Sequence, residues 1–502
     1  MKEKTSRRDF LGISALGLAA IGPLVEEARA ATEAARSIEQ TGHANGAGSA
    51  GGKISVWVTA GDDRFAAAPT VDWKPTPPAP MPGIWDTVAP AANAPASIEI
   101  DPRRRFQEIL GFGAAMTDAS CYVFNQLTRV AREKLFHEVF HPSEMGLSVC
   151  RVCMGASDYA TSLYSFDDGE ADPDLKRFSI EHDRAYILPM LREARAVNPE
   201  LFLFASPWSP PGWMKFSGTM LGGSMRKFYL PAYARYFLKF LQGYAAEGVP
   251  VQALTPQNEV DTDQDGRMPA CTWAQEYEIA FVRDYLGPLL EQSGVTAKIW
   301  ILDHNYNLWG RVVDTLEDDK LRRYCNSVAW HGYAGTADMM SRVKDAYPEV
   351  EMYWTEGGPH FPDPNLGMDW CKWGGTFSDI LRNWCKSITA WNLALDEKGQ
   401  PNIGPMACAG TVTINSQTKE VTRSGQYWAF AHYSKLMRRG ARRIASESTA
   451  TDLQHVAAEN PDGQRALVVT NAGAARTVEL RLGNMTAQVP LRENSLTSLA
   501  WR

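Results

Sequence analysis

A chain of 502 residues, 44% hydrophobic and 22% charged, has room for one large domain and a smaller one, with the composition of a soluble globular protein. A net charge of -7 and a pI near 5.8 exclude the concentrated basic surface that nucleic acid requires. The 16 Trp and 17 Tyr are abundant enough both to fill a core and to floor a sugar site, because sugar rings stack their C–H faces on aromatic planes.

Residues 1–30 read as a twin-arginine signal peptide. Ser6-Arg7-Arg8-Asp9-Phe10-Leu11 precedes an apolar run to about Val25, and Ala28-Arg29-Ala30 is a small-residue cleavage site. The apolar run is shorter than the ~20 residues that span a bilayer, and no later stretch is long and apolar enough. Export to the periplasm or the medium is therefore expected, with no transmembrane segment in the mature chain. Residues 31–53, rich in Ala, Gly and Ser, read as a flexible linker. Within residues 54–102, Ile54–Thr59 and Ala96–Ile100 read as strands and Pro69–Pro82 as a loop.

Residues 103–437 carry a strand-then-helix beat. The alternation predicts strands over Ile109–Ala114, Leu147–Met154, Leu201–Ser206, Val251–Pro256, Lys298–Asp303, Val328–His331, Glu351–Thr355 and Ser387–Leu393. Between them, apolar spacing of three to four predicts helices over Asn125–Phe140, His182–Val197, Pro231–Glu247 and Thr272–Gln292. Eight such units predict a (β/α)8 TIM barrel. A doubly wound sheet usually opens on a Gly-rich phosphate turn, and none is present. After a helix near Gln426–Met437, residues 438–502 change to short alternating runs separated by Pro461-Asp462-Gly463 and Asn471-Ala472-Gly473, predicting an appended antiparallel β-sandwich. The two early strands have no nearby partners and are expected to pair with it.

Eight cysteines in a chain this size do not make a disulfide scaffold. Cys150 and Cys153 form a C-x-x-C, but on a strand residues three apart face opposite sides, so they read as core thiols. No cofactor and no metal site is implied by the sequence.

The chemistry is carried by two glutamates 97 residues apart, Glu259 closing Val251–Glu259 and Glu356 closing Glu351–Glu356. Two carboxylates delivered by different strands into one cleft suit glycosidic bond cleavage, in which one protonates the departing oxygen and the other meets the cationic sugar carbon. Active groups of a barrel gather at the C-terminal ends of its strands. The strand ends supply Arg151, Asp158, Trp208, Asn258, His331, Tyr333, Trp391 and Asn392 as candidate substrate-binding residues.

Several segments together resemble glycoside hydrolase family 30, the glucosylceramidase group. These are Phe106-Gln107-Glu108 with Gly111 to Asp118, Arg151 to Asp158, Ala205-Ser206-Pro207-Trp208, Trp391 to Leu395 and Tyr427 to Lys435. The resemblance implies a retaining mechanism with Glu259 as general acid/base and Glu356 as nucleophile. It also implies a sugar subsite lined by Arg151, Asp158, Trp208, Asn258, Tyr333 and Trp391, and a raised pKa for Glu259. Val260 stands where the family commonly has proline, Gly332 replaces a tryptophan, and Asp261-Thr262-Asp263-Gln264-Asp265-Gly266 is an acidic insertion. That insertion imitates the start of a calcium loop, but Thr272 occupies the position of the bidentate glutamate, so a solvated loop at the cleft edge is expected. The expected function is a retaining β-glycosidase acting on a carbohydrate or glycolipid, glucosylceramidase-like. A β-1,6-glucanase or β-xylosidase is the same chemistry in another cleft, and a non-catalytic carbohydrate-binding protein would typically lack one glutamate.

Overall fold

The computed structural model describes residues 52–76 and 96–502. The expected signal peptide, the linker through residue 51 and residues 77–82 of the Pro-rich stretch lie outside the described residues. No helix among the described residues is long and apolar enough to cross a membrane.

Ahead of the barrel stand β1 (Lys53–Ala60), β2 (Asp63–Asp72) and β3 (Ser97–Glu108), with a two-residue pairing at Lys74–Pro75 between β2 and β3. Pro69, expected in a loop, lies within β2. It is tolerated there because β2 is the outermost strand of its sheet, where a missing N–H breaks no ladder. Strand β3 runs past residue 102, so Phe106-Gln107-Glu108 belong to this sheet and not to the barrel.

The barrel strands are β4 (Gly111–Ala115), β5 (Val149–Cys153), β6 (Phe202–Ser206), β7 (Ala253–Leu254), β8 (Lys298–Ile299 and Ile301–Asn305), β9 (Ser327–His331), β10 (Glu351–Glu356) and β11 (Cys385–Ala390). Each pairs in parallel with the next, and β11 pairs back onto β4, closing the ring. The approach of β4 to β5 requires glycine, since a Cβ on Gly113 would lie 1.5 Å from the Val149 carbonyl oxygen. The helix expected over Asn125–Phe140 is preceded by a separate helix, α1 (Asp118–Asn125), and begins at Arg129 (α2, Arg129–Phe140). Thr128 begins the second, accepting a hydrogen bond from the Ala131 N–H at 3.3 Å.

Period-two alternation builds the barrel interior in layers. Val149, Phe204, Ala253, Trp300, Ala329 and Tyr353 form one apolar layer, with Trp300 stacked on Tyr353 at 3.9 Å. Two residues further along five of these strands stand Arg151, Ser206, Thr255, His331 and Thr355, all buried and polar. Strand β8 departs from the beat. Leu302 (φ 74°) and Asp303 (φ 49°) sit at a bulge, where the register against β9 shifts. The bulge turns Asp303, in place of Leu302, into the polar layer.

Six strands follow the barrel: β12 (Arg442–Ser448), β13 (Gln454–Glu459), β14 (Arg465–Asn471), β15 (Arg476–Leu482), β16 (Met485–Leu491) and β17 (Ser495–Trp501). Strand β1 pairs with β17, and β3 lies between β12 and β15, so the early strands complete this sheet around a separate apolar cluster. His432, in the last barrel helix (Gly425–Ser434), ties the two regions together. Its ring bonds Thr59 of β1 at 2.8 Å and Ser498 of β17.

Candidate active site

Glu356 ends β10, and a short hydrogen bond from Arg151 reaches its Oε2 while the Tyr333 hydroxyl donates to Oε1 at 3.1 Å. Arg151 is fully buried and every face of its guanidinium is used. It donates to Asn258 Oδ1 and Asp303 Oδ2, each at 2.7 Å, and to Ser206 Oγ at 3.1 Å, with the Trp208 ring 4.6 Å from its carbon. Asp303 also accepts from Ser206, Thr255 and Thr355, each at 2.7 Å, and from His331 Nε2 at 3.0 Å. Burial alone would raise its carboxyl, but the Arg151 charge and the His331 bond hold it well below the usual carboxylate range. A permanent ion pair therefore lies beneath Glu356.

Glu259 follows β7 in the left-handed region (φ 55°), its N–H bonded to the Asp303 carbonyl at 3.0 Å. Gln264 Nε2 donates to its Oε2 at 2.8 Å, and His331 Nδ1 lies 3.4 Å from its Oε1. The raised pKa expected for Glu259 is corrected by this arrangement. Burial alone would raise it, but the His331 bond and charge, with His304 and Gln264 beside it, hold it below the usual value. The proton resides instead on His331. Burial would lower this imidazole, but Glu356, Asp303 and Glu259 outweigh burial and push it up to about 9.

Both glutamates line one cavity of 470 Å³ together with Asp158, Trp208, Asn258, Tyr333 and Trp391. Trp208 and Trp391 stack at 4.9 Å and form an aromatic floor. Asp158 is buried with its Oδ1 lacking any hydrogen-bond partner among the described residues. Burial and the field of Glu356 and Glu259 push its carboxyl well above the usual range. Such a group is ready to bond a hydroxyl brought by a ligand. Three residues expected to touch substrate do not line the cavity. Arg151 and His331 lie beneath the carboxylates, and Asn392 is buried behind Trp391, where its Oδ1 accepts from Thr117 Oγ1 at 2.8 Å.

Residues 109–437 match the glycosyl hydrolase family 30 TIM-barrel domain, and residues 440–499 match that family's beta sandwich domain. The chain belongs to glycosyl hydrolase family 30. An endo-1,6-beta-D-glucanase of Neurospora crassa is 32% identical over 436 residues, covering 82% of this chain and 89% of the relative. The lysosomal acid glucosylceramidase of Mus musculus is 28% identical, covering 74% and 77%. The solved endo-beta1,6-glucanase BT3312 superposes with a TM-score of 0.79 at 28% identity, over 89% of this chain and 99% of that one.

Within this family 30 site, Asp303 and His304 are functional neighbours that the sequence does not single out, whereas Asp261 and Gln264 belong to the acidic insertion expected at the cleft edge and do line the cavity. Asp303 and His304 end β8, and the run Asp303-His304-Asn305 is a polar cluster at a strand end that does carry a signal. The acidic insertion does not act as a block of charge. Asp261 Oδ1 accepts from His304 Nε2 at 2.5 Å, Asp263 accepts from the Asp265 N–H at 3.1 Å, and Asp265 faces solvent beside Arg267. Its neutral member, Gln264, reaches Glu259. The Trp354 ring leaves no room for a side chain at Gly332, lying 2.7 Å from where a Cβ would sit.

Proposed function

We propose that this glycoside hydrolase is a retaining β-glycosidase in which Glu356 is the nucleophile and Glu259 the general acid/base. The observation that carries the reading is the unequal surroundings of two carboxylates in one cavity. Glu356 is ion-paired with Arg151 and aimed by Arg151 and Tyr333, as a nucleophilic carboxylate must be. Glu259 is backed by a protonated imidazole and can be resupplied with a proton.

In the first step Glu356 attacks the anomeric carbon as the bond to the leaving oxygen breaks. Glu259 delivers to that oxygen the proton it shares with His331, leaving a glycosyl ester, the Glu259 carboxylate and a neutral His331 imidazole. In the second step Glu259 takes a proton from water, the hydroxide attacks the ester, and Glu356 is released. The Trp208–Trp391 floor and the free Asp158 oxygen support a bound sugar ring. Neutral, hydroxyl-rich β-1,6-glucan is the favoured substrate, supported by the names of the glucanase relatives and by polar Asp261, Thr262 and Gln264 at the cavity edge. The glucosylceramidase relatives support a glycolipid as the second reading. Export by the twin-arginine route belongs to this proposal and rests on Arg7-Arg8.

Purified protein assayed on β-1,6-glucan, glucosylceramide and aryl β-glucoside, β-xyloside and β-fucoside tests substrate and sugar together. The expected result is hydrolysis of β-1,6-glucan and the aryl β-glucoside, with the β-anomer as first product by NMR. An α-anomer overturns retention, and glucosylceramide turnover without glucan turnover selects the second reading.

A further inference from the structure

We propose that Glu259, His304 and His331 form a site for a divalent transition-metal ion, with zinc the best fit, and that its occupation switches hydrolysis off. One ligand atom from each of the three residues lies within 4.8 Å of the other two, and both Nδ1 atoms approach the same carboxylate oxygen, Glu259 Oε1. The nitrogens stand 3.7 Å and 3.4 Å from the carboxylate oxygen. An ion with bonds of about 2.0–2.1 Å in tetrahedral array spaces its ligands roughly 3.3 Å apart, so both nitrogen–oxygen edges are close to the required length. The His304 side chain is only 7% exposed, yet its Nδ1 has no hydrogen-bond partner and points to Glu259. An imidazole nitrogen left bare in a buried site is costly unless something binds it.

The outer contacts match those of metal-binding histidines. Each ring donates its other N–H to a carboxylate, His304 to Asp261 and His331 to Asp303, which fixes the ring and presents Nδ1 inward. Four carboxylates (Glu259, Glu356, Asp261 and Asp303) surround the spot against the guanidinium groups of Arg151 and, beside Asp261, Arg311, so the field favours a cation. Two nitrogens and one oxygen suit zinc and not calcium or magnesium, which take oxygen ligands. Glu259 and His304 line the cavity, giving the ion a path from solvent and an open fourth position for water. The ion would take the place of the proton shared by Glu259 and His331. This inhibitory consequence rests on the assignment of Glu259 as acid/base, whereas the binding site rests on geometry alone.

Calorimetric titration of the full chain with ZnCl2, and cobalt absorption after CoCl2, test the site without reference to activity. One equivalent should bind, with the visible spectrum of four-coordinate cobalt. Affinity should fall at least 100-fold in His304→Gln and about 10–100-fold in Asp261→Asn, whose half-exposed side chain makes a folding defect less of a concern. Hydrolysis of an aryl β-glucoside should be lost in step with zinc occupancy and return with EDTA. Unchanged zinc affinity in both variants, or no uptake by the folded wild type at millimolar zinc, overturns the site. Stoichiometric uptake without inhibition overturns the switch. Uptake lost in His304→Gln by a chain inactive on every glycoside upholds the site and removes the proposed function instead.

Discussion

At the scale of single residues, Glu356 and Glu259 differ in what surrounds them and should fail differently. Glu356→Gln cannot form the glycosyl ester, and its amide faces the same Arg151 and Tyr333 donors. Turnover should fall on the order of 10³-fold or more while the circular dichroism spectrum is unchanged. Retention of more than a few per cent activity in purified protein would remove it as nucleophile. Glu259→Ala removes proton transfer, which is worth about 10²–10⁴-fold. The loss should be large on natural glucosides and small in the first step on activated aryl glycosides, and added azide should restore the second step. Equal losses on both substrate types without azide rescue would give Glu259 another part.

At the scale of elements, the β8 bulge decides where the central negative charge lies. Asp303 is wholly buried and pairs with Arg151, so its loss leaves the buried guanidinium with Glu356 as its one remaining carboxylate partner and takes away the acceptor of His331 Nε2. Asp303→Ala should cost about 3–5 kcal/mol of stability by denaturant titration, the range found when one partner of a buried pair is removed. A loss below ~1 kcal/mol would mean that Glu356 alone compensates Arg151. The bulge is invisible in the sequence because alternation from Trp300 puts Leu302 inward, and no composition rule marks where a strand gains a residue. Strand β12 is hidden for a related reason. Its opening Arg442-Arg443 reads as surface, whereas Arg443 is buried against the Phe106 ring at 3.6 Å.

Across the whole molecule, His432 links the barrel's last helix to β1 and β17, and burial pushes its pKa down to about 3. The folded value lies below the unfolded value near 6.5, so the unfolded chain binds the extra proton. The stability held by neutral His432 is present above pH ~6.5 and lost as pH falls toward 3, with a slope approaching about 1.4 kcal/mol per pH unit between the two values. Urea unfolding from pH 7 to pH 4 should show a shallower acid dependence in His432→Gln than in the wild type. Identical slopes would mean that this interface does not sense the proton.

Local chemistry is what the sequence by itself determined. Short strand-type runs alternating with helical patterns located all eight barrel strands, and alternating runs between turn residues located most strands of the appended sheet. The spacing of Glu259 and Glu356 at two strand ends carried the reaction class, because strand ends of a barrel must converge. Tertiary structure alone decided which neighbours set each charge. Arg151, His331 and Asn392 share a rim in the sequence, yet the first two lie under the carboxylates and the third behind an aromatic ring. The position of the proton was decided the same way. Burial is legible from apolar surroundings and argues for a neutral Glu259, but electrostatic energy depends on distance. Only folding brings His331, 72 residues away in the chain, to 3.4 Å from Glu259.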